Sequence, residues 1–163
     1  MEVEIKQKSS SNKNNRLLEK QLIELDCHAA TPEDAIRAAG NLMVNEGAVT
    51  PQYVEAMILA YHELGPYIVL APNIAMPHAR PESGALKESI AFVRLEKPLA
   101  FGHPENDPVK IIIPLAGVDN NAHLILLQRL SEILMESENI GTLLKTEEIE
   151  TILSIFNQQE KEV

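Results

Sequence analysis

The sequence predicts an α/β protein: a mixed central β-sheet flanked by helices, folded as a single domain. Three observations lead there. Thr-Pro pairs of the kind that open helices recur at Thr31-Pro32 and Thr50-Pro51. Short β-branched runs such as "YIVLA" and "VKIIIPLA" interleave with stretches of helical periodicity, and elements that alternate in this way pack helices over a sheet. A chain of 163 residues that is 45% hydrophobic is also long and apolar enough for one domain with its own core.

The elements follow in order. Residues 1–15 are rich in Ser, Asn and Lys and predict a flexible N-terminal tail. The folded domain is expected over 16–157, and 158–163 form a polar C-terminal tail. "LIELD", Leu22–Asp26, predicts a short strand. "TPEDAIRAAGNLMVNEG" predicts a helix: Thr31 caps it, Pro32 occupies its first position, Glu33 and Asp34 face the positive end of the dipole, and Gly47 stops it. A second helix repeats the device from Thr50 and Pro51. Its Val54, Met57, Ile58 and Tyr61 share one face, and Gly65-Pro66 terminate it.

Tyr67–Ala71, Ser89–Glu96 and Val109–Ala116 are expected strands, with Pro114 marking a strand end or an edge. A helix is predicted from Asn120 to about Met135, capped by Asn120 or Asn121, with Leu127, Leu130 and Leu134 inward. A short helix follows over Asn139–Leu144. A last one begins near Thr146, with Ile149, Ile152, Leu153 and Phe156 as its buried stripe.

Composition excludes several function classes. The net charge of −10 opposes non-specific binding to nucleic acid or anionic lipid. No apolar run is long enough to insert in a membrane, and the N-terminus lacks the apolar stretch of a signal peptide. The single cysteine, Cys27, has no internal disulfide partner. These features predict a cytoplasmic protein.

The segment Pro72–Lys87, containing "APNIAMPHARPESG", is the anomaly. It is read as a connection between two strands, longer than usual and carrying Pro72, Pro77 and Pro81. Long connections within compact domains are often functional. Pro77 fixes its own backbone and extends Met76, and Pro81 does the same to Arg80. In a locally extended chain, the side chains of His78 and Arg80 project to one side. A guanidinium next to an imidazole suits a poor base but a good phosphoryl acceptor. The ring stays neutral with a free lone pair, and the guanidinium can grip phosphoryl oxygens. The same local residues also describe a proline-rich turn with a solvated His and Arg.

His123 falls in the first turn of the helix expected from Asn120, where unpaired backbone N–H groups attract phosphate. It could donate a hydrogen bond to a phosphoryl group on His78. The other histidines read as structural: His28 before a helix, His62 near the end of one, and His103 in the turn-like "FGHPENDP".

These residues carry a family resemblance. "GPYIVLAPNIAMPHARPESG" and "KPLAFGHPENDPVKIIIPLAGVDNNAHLILLQRLSEIL" resemble enzyme IIA of the bacterial phosphoenolpyruvate-dependent sugar phosphotransferase system. The match is to the mannitol/fructose class and, within it, the ascorbate-type branch, over Leu17 to Phe156. The resemblance implies that His78 is transiently phosphorylated and that His123 supports the phosphoryl group unmodified. Arg80 is kept from the residues themselves, as a contact for the phosphoryl group. HPr would be the donor and enzyme IIB the acceptor, with membrane component IIC transporting ascorbate, a related sugar acid or a polyol. No cofactor and no metal is implied, and a homodimer is left open. One departure stands out: relatives commonly have Gly where this chain has Asn73, and Asn tolerates a left-handed backbone better than most residues.

Two other readings compete. Related IIA domains act as regulators whose phosphorylation state controls a protein partner, although this acidic chain has no recognisable DNA-binding segment. A metal-dependent hydrolase built on His78, His103, His123 and Asp119 matches no compact ligand motif.

Overall fold

The computed structural model describes residues 16–158. The N-terminal tail expected over 1–15, and the C-terminal tail beyond Gln158, lie outside the described residues. Strand β1 (Ile23–Cys27) leads into α1 (Pro32–Asn45) and α2 (Pro51–Leu64). Then come β2 (Ile74–Ala75), β3 (Ser89–Ile90), β4 (Phe92–Leu99), β5 (Val109–Ile112) and β6 (Leu115–Ala116). Three helices close the domain: α3 (Asn120–Leu134), α4 (Ser137–Lys145) and α5 (Ile149–Phe156).

The four-stranded sheet has the order β1-β4-β5-β2. It is mixed, as expected: β1 and β4 run parallel, β4 and β5 antiparallel, β5 and β2 parallel. A separate antiparallel pair, β3 with β6, stands outside it. That pair is a correction, because Ser89–Glu96 and Val109–Ala116 were each expected to be one strand. The first breaks at Ala91. The second breaks at Ile113-Pro114, where the proline has no N–H to offer a ladder.

The larger correction concerns Tyr67–Ala71, which is not a strand. Pro66 starts a 3-10 turn over Pro66–Ile68, and the chain stays irregular until a tight bridge from Ala71 to Ile74. The strand lies inside the segment expected to be a loop, as β2. Asn73 makes the turn possible with φ +72°. Its N–H donates to Asn106 O, its side chain donates to Pro108 O, and its carbonyl accepts from Lys110 and Ile111. A residue with a side-chain amide thus holds the left-handed position and also ties β2 to the start of β5.

Both Thr-Pro helix starts form as expected. Thr31 Oγ1 accepts from Asp34 N at 3.1 Å, and Thr50 Oγ1 accepts from Tyr53 N at 3.3 Å. Helices α1 and α2 pack closely where Gly40 meets Val54 and Met57. Of the face expected on α2, Val54, Met57 and Ile58 are buried, and Tyr61 is half-buried with its hydroxyl on Phe101 O at 2.7 Å. Phe92 of β4 meets Phe156 of α5 edge-on at 5.9 Å. The buried guanidinium of Arg94 is satisfied by Leu143 O, Thr146 O and the Glu147 carboxylate, fastening β4 to the end of α4.

Strands β2 and β5 run parallel, and their partnership continues past both ends. Ile113 N donates to Ala75 O at 2.8 Å, and Leu115 N to Pro77 O at 3.0 Å. The chain leaving β2 toward His78 therefore travels beside the chain leaving β5 through β6 toward His123. Carboxyl ends of parallel strands open on the same side, where α/β folds place their sites.

Candidate functional site

His78 is held from both sides by proline and from below by its own backbone. Its Nδ1 lies 2.8 Å from Met76 O. A carbonyl can only accept, so Nδ1 carries the ring proton and Nε2 keeps its lone pair. Burial pulls the pKa of His78 below its ordinary value, and the hydrogen bond to Met76 offsets this only in part. The imidazole is neutral at pH 7.

His123 reaches the same place from α3. The cap of that helix is Asp119, a correction to the expected Asn120 or Asn121. Its carboxylate accepts from Ala122 N at 2.8 Å, and its carbonyl accepts from His123 N at 3.0 Å. The ring of His123 stands 5.0 Å from that of His78, tilted by 59°. Its Nδ1 is buried with no hydrogen-bond partner among the described residues. Burial lowers its pKa, and the neighbouring His78 lowers it further.

The two histidines line one cavity of about 600 Å³, with Leu59, Leu64, Tyr67, Arg80 and Asn120 among its walls. The Tyr67 ring meets His78 edge-on at 5.9 Å. Leu59, Leu64, Tyr67 and Leu124 expose apolar surface around or beside it. Arg80 lines the cavity too, but its guanidinium extends into solvent. The side chain is 84% exposed and stands 4.0 Å from Glu82. Among the described residues no hydrogen bond joins it to His78.

The remaining histidines have other partners. His28 pairs with Glu96 at 2.8 Å, and His62 with Glu33 at 2.6 Å. His103 Nδ1 accepts from the Glu105 and Asn106 amides, closing its own turn. Among the described residues, no three His, Cys, Asp or Glu side chains are grouped to hold a metal ion. The set His78, His103, His123 and Asp119 is thus not assembled around one point. Cys27 is buried, and burial raises its thiol to about 11, so it is a poor nucleophile.

Four contributors to the site were not anticipated from sequence. The Met76 carbonyl sets the tautomer of His78, and the Tyr67 ring walls the cavity. Gly117 permits the close approach of α3, and Tyr53 binds the backbone beside His78. Only Gly117 left a local trace, a glycine between a strand and a cap residue. No helix among the described residues is long and apolar enough to cross a membrane.

The family model for the phosphoenolpyruvate-dependent sugar phosphotransferase system, EIIA 2, matches residues 16–159. An ascorbate-specific PTS system EIIA component of Shigella flexneri is 46% identical over 110 residues, 68% of this chain and 71% of that protein. The crystal structure of IIA mannitol from Escherichia coli superposes with a TM-score of 0.75 at 33% identity, covering 85% of this chain and 98% of that one. The IIA chain in the complex of enzyme IIA and phosphorylated enzyme IIB of the Escherichia coli mannitol system does so at 0.77, with 32% identity and 87% and 98% coverage. A capped helix start, two neutral imidazoles and an open cavity are what a phosphoryl carrier needs, and with these matches the chain belongs to the EIIA 2 family of the sugar phosphotransferase system.

Proposed function

We propose that His78 is the phosphoryl acceptor of this carrier, that Nε2 is the reacting atom, and that His123 steadies the transferred group. The observation that carries this is the hydrogen bond from His78 Nδ1 to Met76 O. It leaves Nε2 as the nitrogen with a free lone pair beside His123. HPr bearing a phosphohistidine docks over the cavity, and its P–N bond breaks as the bond from phosphorus to His78 Nε2 forms. The ring then carries the phosphoryl group on Nε2 and still holds its proton on Nδ1 against Met76. From this cationic phosphorylated ring the neutral imidazole is a good leaving group, the P–N electron pair returning to Nε2. Transfer to enzyme IIB therefore returns the ring to its starting state with no proton moved in either step.

His123 is matched to that cycle. Protonating its buried Nδ1 would bury an N–H without an acceptor, so the ring carries its proton on Nε2. There it donates one neutral hydrogen bond to a phosphoryl oxygen, aided by the positive end of α3. That grip is moderate, as a relay requires. Arg80, at the cavity mouth, adds charge that draws in a phosphoryl group or meets an acidic partner.

The sugar follows from relatives rather than from this site. The curated relatives are named ascorbate-specific, which supports ascorbate or a related sugar acid as the substrate of the associated transporter. The direct test is reconstitution with phosphoenolpyruvate, enzyme I and HPr. The protein gains one acid-labile phosphoryl group, and His78→Ala gains none. Label on another residue, or label that survives acid, would contradict the assignment.

A further inference from the structure

Tyr53 is completely buried in the first turn of α2, outside the cavity, and Thr50 fixes its amide. Its hydroxyl sits where three segments of chain meet. It accepts from Ala79 N at 3.1 Å and donates to Leu115 O at 2.9 Å, with Ala79 O also at 3.1 Å. Leu115 N in turn donates to Pro77 O at 3.0 Å. The residues on either side of His78 are therefore both tied to Leu115, Pro77 directly and Ala79 through the phenol. Leu115 belongs to β6, which runs through Gly117 to the Asp119 cap and His123.

We propose that Tyr53 is a positioning residue for phosphoryl transfer, whose hydroxyl latches the backbone beside His78 to the strand that leads to His123. The inference rests on His78 being the acceptor. Nothing else among the hydrogen bonds of the described residues holds the Ala79 amide, and the chain from Pro77 to Arg80 has no ladder partner beyond Pro77. Without the latch, the ring would be braced by prolines but free to swing as a unit relative to His123. In-line transfer is sensitive to such movement, since a misplacement of about 1 Å can cost roughly a hundredfold. Burial pushes the phenol of Tyr53 up to about 12, so the latch keeps its proton wherever the relay works.

The test is Tyr53→Phe, which keeps the ring and its packing and removes only the oxygen. The proposal predicts that kcat for phosphoryl uptake falls about tenfold or more, while KM for phospho-HPr changes by less than about twofold. Met57→Ala, in the same helix against α1, serves as a control for lost stability, and its kcat at a temperature well below unfolding stays at the wild-type value. In the wild-type protein the Ala79 amide exchanges with solvent as slowly as the amides of β5, although it lies in a loop at the cavity rim.

A Tyr53→Phe kcat equal to wild type would overturn the latch, and so would an equal loss in Met57→Ala. Fast exchange at Ala79 would overturn it without any variant. A wild-type protein that takes no phosphoryl group on His78 would instead remove the reading beneath it.

Discussion

A Cβ built on Gly117 would lie 2.6 Å from the amide nitrogen of His123 and 2.7 Å from its Cα. Both obstacles are backbone, and the Asp119 cap holds that backbone in place. Gly117→Ala must therefore push the first turn of α3 away from β6 and carry His123 with it. The variant should fold with a loss of about 1–3 kcal/mol, the usual cost of overpacking, and should relay phosphoryl groups more slowly than wild type. Denaturant titration and rapid-quench transfer to enzyme IIB measure the two effects. Unchanged values for both would mean that the close approach is not needed.

His123→Ala separates acceptance from relay. On the proposed assignment the acceptor lone pair belongs to His78, so the variant still takes up phosphoryl from HPr. Loss of one preorganised donor should slow onward transfer by about a hundredfold. Quench-flow with enzyme IIB reads this directly. If the variant could not be phosphorylated at all, His123 would be more than a supporting group.

The depressed pKa values of His78 and His123 make stability depend on pH with a definite sign. Both rings resist protonation in the folded protein, whereas in the unfolded chain they titrate near 6.5. The unfolded state therefore binds more protons below that value. The contribution is complete above pH 6.5 and is lost as pH falls toward the lowered folded values. Unfolding free energy measured at neutral pH and at pH near 5.5 should fall in wild type and fall less in a His78→Gln, His123→Gln double variant. An equal fall in both proteins would assign the acid sensitivity to other groups.

Tyr67 predicts a kinetic protection. Its ring lies edge-on to His78 and forms one wall of the cavity. Tyr67→Ala opens that wall to water, so the isolated phosphoprotein should lose its phosphoryl group several-fold faster, with little change in melting temperature. Phosphate release over time measures it. An unaltered half-life would show that the ring does not exclude the hydrolytic water.

What the sequence disclosed follows the range of the forces involved. The Thr31-Pro32 and Thr50-Pro51 starts and the Gly65 stop were legible because capping is settled within one turn. Asn73 was legible for the same reason: a left-handed residue reveals itself by type. The Tyr67–Ala71 run misled because β-branched composition describes a buried extended chain whether or not a partner strand is present. The partner available, β5, lies far along the chain and pairs with Ile74–Ala75 instead. Asp119 was passed over because three cap-competent residues stand in a row, and only the geometry of the turn chooses among them.

At the candidate site, proline bracing, helix position and family resemblance pointed to His78 and His123, which the fold brings to one cavity. Arg80 is extended, as the flanking prolines imply, and shares the cavity lining with His78, but its exposed guanidinium stands nearest Glu82, a choice of side-chain direction that local sequence does not encode. Tyr53 could not have been read at all, since its partners Ala79 and Leu115 are 26 and 62 positions away.

The measurement that bears most directly on the central claim is nitrogen and phosphorus NMR of the protein phosphorylated through HPr. The account predicts one phosphorus resonance coupled to Nε2 of His78, with Nδ1 still protonated. Coupling to Nδ1 would contradict it, because that nitrogen would first have to leave the Met76 carbonyl, and a signal assigned to any other residue would contradict it outright.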